Sequence, residues 1–250
     1  MAVAHTHKRF WIGFDLHIPH YDESVDKIVT EFLHDFKPHI RVAGGDWMTC
    51  DQASTFASAL EDSSDLLEEF ETTQLSLEEW KITHYLEGNH EERIRRVGGK
   101  IDPRLRSLCD VPHNLHLAEQ KIRWLPYHPK QGVLHIGHLK VFHGWYTNQY
   151  YARKTAEIYG TSVFGHAHRF QIIQSKEAFH TRVGFGIGML GSVNQPWIDD
   201  RAPMGWGQGF AFGYLHRNKW FDLYPARINN GRLVINGRVY GTFTEGTEID

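Results

Sequence analysis

Asp15 and His17, Asp46, the pair Asn89–His90, His143, and the pair His166 and His168 are the residues here whose types and placement suit chemistry. Each follows a short apolar run. Most stand beside a glycine, in the words GGD, GNH, HG and GHAH. The stretch LEGNHEERIRR, residues 86–96, shows the pattern most clearly. It begins like a buried strand, breaks at Gly88, sets an amide beside an imidazole, and turns almost wholly charged. A helix start explains Asn89 but not His90. Taken singly, Asp15 reads as a cap and Asp46 as a turn residue, placed for local hydrogen bonding. Taken together they offer carboxylate, imidazole and amide oxygen without thiolate, a donor set that suits Mn²⁺, Fe or Zn²⁺. One carboxylate can bridge two such ions. Two ions about 3.5–4 Å apart can hold a hydroxide nucleophile and clamp a phosphoryl group for in-line attack.

Donors this far apart in sequence need a scaffold that returns the chain repeatedly to one edge. Residues 10–14 and 40–43 are short apolar runs, read as buried strands, and 82–86 is a third. Between the first two, residues 22–37 carry Val25, Ile28, Val29, Phe32, Leu33 and Phe36 at helical spacing, with Asp22 as N-cap. Residues 51–80 read as acidic and helical, with Leu66, Leu67, Phe70, Leu77 and Trp80 inward. This alternation predicts an α/β fold with a parallel sheet. Ligands in such sheets bind outside the strand carboxyl ends.

The second half reads as a hairpin over 133–136 and 139–142, a helix over 150–159 and a strand over 162–164. Strands follow over 171–174, 178–183, 210–215, 220–228 and 233–240, with Asn229–Asn230–Gly231 as a hairpin turn. Residues 189–209 form a long Gly-, Pro- and Trp-containing loop, read as functional or disordered. In it, Trp197 and Trp206 are read as a wall of the site or a subunit contact in preference to a base-stacking platform. The last residues, TEGTEID, read as a loose tail. No repeat or linker divides the chain, so residues 1–250 are expected to form one domain, with 170–240 completing a second sheet.

Composition narrows the function classes. At 250 residues, 41% hydrophobic and 23% charged, the chain can bury a core without staples. Two cysteines imply no disulfide framework and a reducing compartment. The N-terminal MAVAHTHKRF has no apolar signal region, and 183–193 is too short and glycine-rich to span a bilayer, so no membrane partner is expected. A net charge of -3 gives no global attraction to nucleic acid. The exception is the window 93–106, with Arg93, Arg95, Arg96, Lys100, Arg104 and Arg106 against Asp102 alone. It reads equally well as a solvated helix face.

The ordered words D-x-H, G-D, G-N-H, H-G and G-H-x-H resemble those of the calcineurin-like metallophosphoesterases, from Asp15 to His168. DLHIPHYD and GNHEERIRR look like the small phage-type members described as nucleases or phosphatases. The resemblance implies a four-layer αββα fold, two sheets flanked by helices, with the site at strand carboxyl ends and a cytoplasmic location (the host's, if phage-encoded). It implies two divalent ions, Mn²⁺ first, with Fe, Zn²⁺, Ni²⁺ or Mg²⁺ as alternatives. Asp15, His17 and His168 would bind one ion, Asn89, His143 and His166 the other, and Asp46 both. His90 would not be a ligand but would contact the phosphate and protonate or electrostatically stabilise the leaving oxygen. His143 is preferred to His138 for the fourth word because it precedes Gly144. His20 is a further candidate for lining the site.

Protein phosphatases of that superfamily carry G-D-x-x-D-R-G. Here the stretch is GDWMTCDQ, with Asp51 late and no arginine after it. Asp51 is still a candidate for orienting His90, and Arg93 for reaching a substrate phosphate. The expected function is therefore a phosphodiesterase acting on DNA or RNA. The alternatives are a phosphatase or phosphodiesterase of small nucleotides or phosphoproteins, and a catalytically silent binding scaffold. Self-association as a homodimer is left open.

Overall fold

The computed structural model describes residues 7–53, 65–175, 181–195 and 205–241. Strands β1 (Lys8–Gly13), β2 (Ile40–Ala43), β3 (His84–Leu86) and β4 (Arg123–Leu125) run parallel to one another. With β10 (Gln208–Leu215) and β11 (Phe221–Ile228) they form a six-stranded sheet, ordered β11-β10-β1-β2-β3-β4. A five-stranded sheet contains β5 (Leu134–Ile136), β6 (Leu139–Val141), β7 (Ser162–Phe164), β8 (Gln171–Gln174) and β9 (Val183–Gly186), in the order β5-β6-β7-β9-β8. Both sheets are mixed, because β10 pairs antiparallel with β1 and β11, and β5 and β8 pair antiparallel with β6 and β9.

Strand alternation explains the layering. Phe10 and Ile12 of β1 point into one cluster, shared with Val42, Leu86 and the second sheet's Leu139, Val141 and Val163. Trp11 points the other way, into a cluster with Ala43 and Tyr85 and with Val25, Ile28, Val29 and Phe32 of helix α1 (Glu23–Phe36). A side-chain period of two puts successive residues on opposite faces, so β1 must be apolar throughout. The two sheets thus pack face to face. Helices α1 and α2 (Leu66–Glu79) cover the outer face of the first sheet, and α5 (Tyr151–Tyr159) covers that of the second. This is the two-sheet αββα sandwich expected from the sequence. Between β3 and β4 lie α3 (Asn89–Gly98), a 3₁₀ segment at Pro103–Cys109 and the short α4 (Val111–Asn114). Asp22 caps α1 as expected, accepting from the Ser24 amide at 2.9 Å.

Several expectations need correction. The strands of residues 170–240 do not all join the second sheet: β8 and β9 do, while β10 and β11 extend the first. An apolar strand does not encode its sheet, and β10 fits beside β1 because its Phe210 and Phe212 meet Phe32 of α1. Residues 233–240 form a small hairpin of β12 (Leu233–Ile235) and β13 (Arg238–Tyr240), not one strand. Asn236 and Gly237, both at positive φ, make its turn. In α2, Leu67 faces solvent, against expectation, and Glu69 faces inward. The strand expected over 178–183 falls partly outside the described residues, as do Trp197 and the tail; of its described residues only Val183 is in a strand, β9, which runs on to Gly186. Among the described residues no helix is long and apolar enough to cross a membrane. Cys50 and Cys109 are both free and buried.

Candidate metal centre

Each candidate donor sits just past the carboxyl end of a parallel strand. Asp15 and His17 follow β1, Asp46 follows β2, Asn89 and His90 open α3 after β3, His143 follows β6, and His166 and His168 follow β7. Face-to-face packing brings these ends of both sheets together. The backbone there is strained. Asp15, His17, Asp46, His166 and His168 have φ of 56°, 54°, 48°, 66° and 55°. Each such residue costs roughly 1 kcal/mol or more, a pattern that marks functional sites when many contacts hold it. Here the first two turns are laced together, with the Asp15 amide donating to the Gly45 carbonyl at 3.0 Å and the His17 amide to the Asp46 carbonyl at 3.1 Å.

The side chains converge. His17 and His168 bring their Nε2 atoms within 3.1 Å, and His168 Nε2 lies 3.4 Å from Asp15 Oδ1. On the other side, His143 Nε2 lies 3.2 Å from Asp46 Oδ2, and His143 Nδ1 lies 3.9 Å from Asp15 Oδ1. Asp15, His17 and His168 form one group of donors and Asp46, His143 and His166 another. Asp46 also groups with His17 and His90. Asp46 and His17 each belong to two of these groups and so link the two sides.

Two details test whether cations fit. Asp15 Oδ1 is buried and accepts no hydrogen bond. Asn89 places the inner atom of its carboxamide 3.1 Å from His143 Nε2, 3.2 Å from Asp46 Oδ2 and 2.8 Å from His166 Nδ1. An oxygen there can accept from His143 Nε2 only while that nitrogen carries a proton, and it otherwise faces the Asp46 carboxylate and His166 Nδ1, an arrangement that a cation makes favourable. Turned over, the amide donates inward and its oxygen accepts from Arg93 Nη2 at 3.3 Å. The residues present fit divalent ions.

Close approach requires glycine at two places. A Cβ on Gly88 would run into the Asp46 carboxylate and amide, and one on Gly165 into Asp15 Oδ2 and the Phe14 ring. Gly165→Ala is expected to displace Asp15 and lower Mn²⁺ affinity roughly tenfold or more, as loss of an outer-shell support does. Calorimetric titration checks this, and an unchanged affinity contradicts it.

Charge is organised around Asp46. Burial opposes its ionisation, yet the charge of His143 beside it holds its carboxyl well below the usual range. Burial opposes the charged form of His143 too, but Asp46 and Asp15 hold it up at about 9. Burial and neighbouring histidines lower His17 well below its ordinary value and bring His166 to about 4. Without a cation, a proton on His143 fills that role. His143 therefore stabilises the metal-free fold most below about pH 6.5, and that contribution disappears as pH rises through about 9. Because this proton must leave before the nitrogen can bind a cation, Mn²⁺ affinity should rise with pH up to about 9. Titration at pH 7 in buffers of different ionisation enthalpy should show about one proton released; none released contradicts the assignment.

Asp51 does not take its expected place. Its Oδ2 lies 3.1 Å from His20 Nε2, while His90 Nδ1 meets the Thr49 carbonyl at 2.6 Å. The 3₁₀ turn at Asp51–Ala53 carries the acid towards His20, which joins the edge of the site by donating its backbone amide to the His17 carbonyl at 2.6 Å. Arg93 is half-buried beside Asn89. Arg95 and Arg96 pair with Glu87 and Glu92. Trp206 stands edge-on to His168, ring centroids 4.4 Å apart, as a wall of the site. His138 lies on the β5–β6 hairpin against Trp220, away from the cluster.

Glu91 is the main residue missed in the sequence. A glutamate three positions after the helix-capping Gly88 is a capping-box signal, and its carboxylate accepts from the Gly88 amide at 2.9 Å. Its further reach to the loop after β2 had no sequence signal.

No family model matches the sequence, and no curated protein does. Among solved structures, the chain is similar to vacuolar protein sorting 29 from Cryptosporidium parvum, at 12% identity and a TM-score of 0.47, over 95% of this chain and 100% of that one. It is also similar to a conserved uncharacterized protein, a predicted phosphoesterase, from Streptococcus pneumoniae, at 12% identity and a TM-score of 0.30, over 89% and 99%. At these identities, function is argued from the site.

Proposed function

We propose that this chain is a metal-dependent phosphoester hydrolase with a dinuclear centre, Mn²⁺ first among its ions, acting on phosphodiesters of nucleic acid. The observation that carries the reading is the largely buried set of convergent donors, with Asp46 reaching His143 and His166 on one side and His17 on the other. Asp15, His17 and His168 would hold one ion, Asn89, His143 and His166 the other, and Asp46 both. When bound, divalent ions supply Lewis acidity, neutralising phosphoryl charge and activating water. Every candidate position holds a competent donor, which argues against a silent scaffold.

His90 handles the leaving group. Its Nδ1–H donates to the Thr49 carbonyl, so Nε2 is the nitrogen that gains and loses a proton. Nε2 faces the cluster, 3.7 Å from Asp46 Oδ2. Burial lowers the pKa of His90, keeping it neutral in the chain alone. An anionic phosphoester brings the charge that draws a proton to Nε2, from where it passes to the departing oxygen. Arg93, beside Asn89, supplies a guanidinium for a phosphoryl oxygen.

The basic window supports a polymer. Helix α3 starts at the centre and extends about 15 Å, and Lys100 and Arg106 beyond it are exposed, as is Arg104, which pairs with Asp102 at 2.7 Å. Such a track suits successive phosphates better than one. The test compares hydrolysis of an aryl phosphodiester, an aryl phosphomonoester, and single- and double-stranded DNA and RNA with Mn²⁺. Cleavage of the diester and of nucleic acid is expected. Activity confined to the monoester rejects the nucleic-acid reading, and no hydrolysis by metal-loaded protein rejects the hydrolase.

A further inference from the structure

The segment from Asp46 to Gln52 leaves β2 and hangs between two buried carboxylates. Glu91 is fully buried. Its Oε2 accepts from the amides of Asp46 at 3.1 Å and Gly88 at 2.9 Å. Its Oε1 accepts from the amides of Trp47 at 2.7 Å and Met48 at 3.2 Å, and from the Tyr85 hydroxyl at 2.8 Å. At the other end, Glu69 of α2 is 1% exposed and accepts from the Cys50 amide at 2.7 Å and Gln52 Nε2 at 3.3 Å. Asp46 and Cys50 are both at positive φ, 48° and 51°. Each carboxylate therefore grips one strained joint.

What lies between matters for the centre. Asp46 is the shared donor, and its Oδ1 accepts from the His90 amide at 2.9 Å. The Thr49 carbonyl, one residue before Cys50, meets His90 Nδ1. A carboxylate accepts at both oxygens, so Glu91 alone can serve the amides of two loops. A carboxamide in its place would turn a donor towards amide donors and release one loop or the other.

We propose that Glu91 and Glu69 are positioning residues of this centre. Glu91 fixes Asp46 and, through Gly88, the Asn89–His90 turn. Glu69 fixes the Thr49 carbonyl that orients His90. The proposal rests on the reading of the centre as a metal-dependent hydrolase and divides the work in a testable way. Glu91 acts on cation binding, and Glu69 acts on proton delivery.

The experiment titrates chelator-stripped wild type, Glu91→Gln and Glu69→Gln with Mn²⁺ by calorimetry. It also measures kcat and KM on aryl phosphodiesters with strong and weak leaving groups. Circular dichroism checks folding, and Glu91→Asp and Glu69→Asp serve as second variants. For Glu91→Gln, Mn²⁺ affinity is expected to fall roughly 10–100-fold. For Glu69→Gln, affinity should stay within about threefold while kcat falls roughly tenfold or more, most for the weak leaving group, with KM little changed. A folded Glu91→Gln protein with wild-type affinity overturns the first half. A folded Glu69→Gln protein with wild-type kcat overturns the second. If neither variant of a glutamate folds, its role is general stability and the proposal fails for it. Wild type that binds no Mn²⁺ contradicts the hydrolase reading itself. Wild type that binds it, with Glu91→Gln binding equally well, contradicts only this inference.

Discussion

Asp46→Asn is expected to give a folded chain whose phosphoester hydrolysis is down about a thousandfold or more, roughly 4 kcal/mol of transition-state stabilisation. The size follows from position. Asp46 lies 3.2 Å from His143 on one side and groups with His17 and His90 on the other. Asparagine keeps the shape and an oxygen to accept from the His90 amide, but removes the charge that both sides share. The same substitution removes the larger of the carboxylate charges that hold His143 up at about 9, so the pKa of the imidazole should fall. Steady-state turnover with Mn²⁺ and the His143 proton resonance in the metal-free protein give two independent measurements. Wild-type turnover in a folded Asp46→Asn protein contradicts the shared-donor assignment.

His90→Ala is expected to lower kcat by about a hundredfold or more while leaving metal content unchanged. His90 lies close enough to His17 and Asp46 to be grouped with them as a donor, so the two measurements must be taken together. If it is a proton donor, the loss should shrink for aryl esters whose leaving oxygen needs no proton. If it is a ligand, the metal content falls and the loss is the same for every ester. Unchanged turnover in metal-loaded His90→Ala protein contradicts any direct role.

The donor positions were legible in the sequence because each follows a short apolar run and most stand next to a glycine. Parallel strands ending at one edge do the rest. Helix α1 was legible because its five buried apolar residues repeat at helical spacing behind an aspartate cap. What was not legible depends on contacts between distant segments. Asp51 looked like a partner for His90, but one turn of 3₁₀ helix sends it to His20 and leaves the Thr49 carbonyl in its place. Glu91 and Glu69 stand in charged stretches of sequence that carry no mark of burial. They are buried because backbone amides of a loop from another strand satisfy them. The same lack of local signal hid the membership of β10 and β11 in the first sheet. Two of the three arginines on α3 proved structural, since Arg95 and Arg96 pair with Glu87 and Glu92, leaving Arg93 at the centre.

The central claim is that this cluster makes the chain a metal-dependent phosphoester hydrolase. The most direct measurement is hydrolysis of an aryl phosphodiester by chelator-stripped protein before and after Mn²⁺ is restored, with bound metal quantified in the same samples. The account predicts no turnover by the stripped protein and recovery that follows metal content up to about two ions per chain. Turnover that survives stripping, or full metal occupancy with no hydrolysis of any phosphoester, would contradict it.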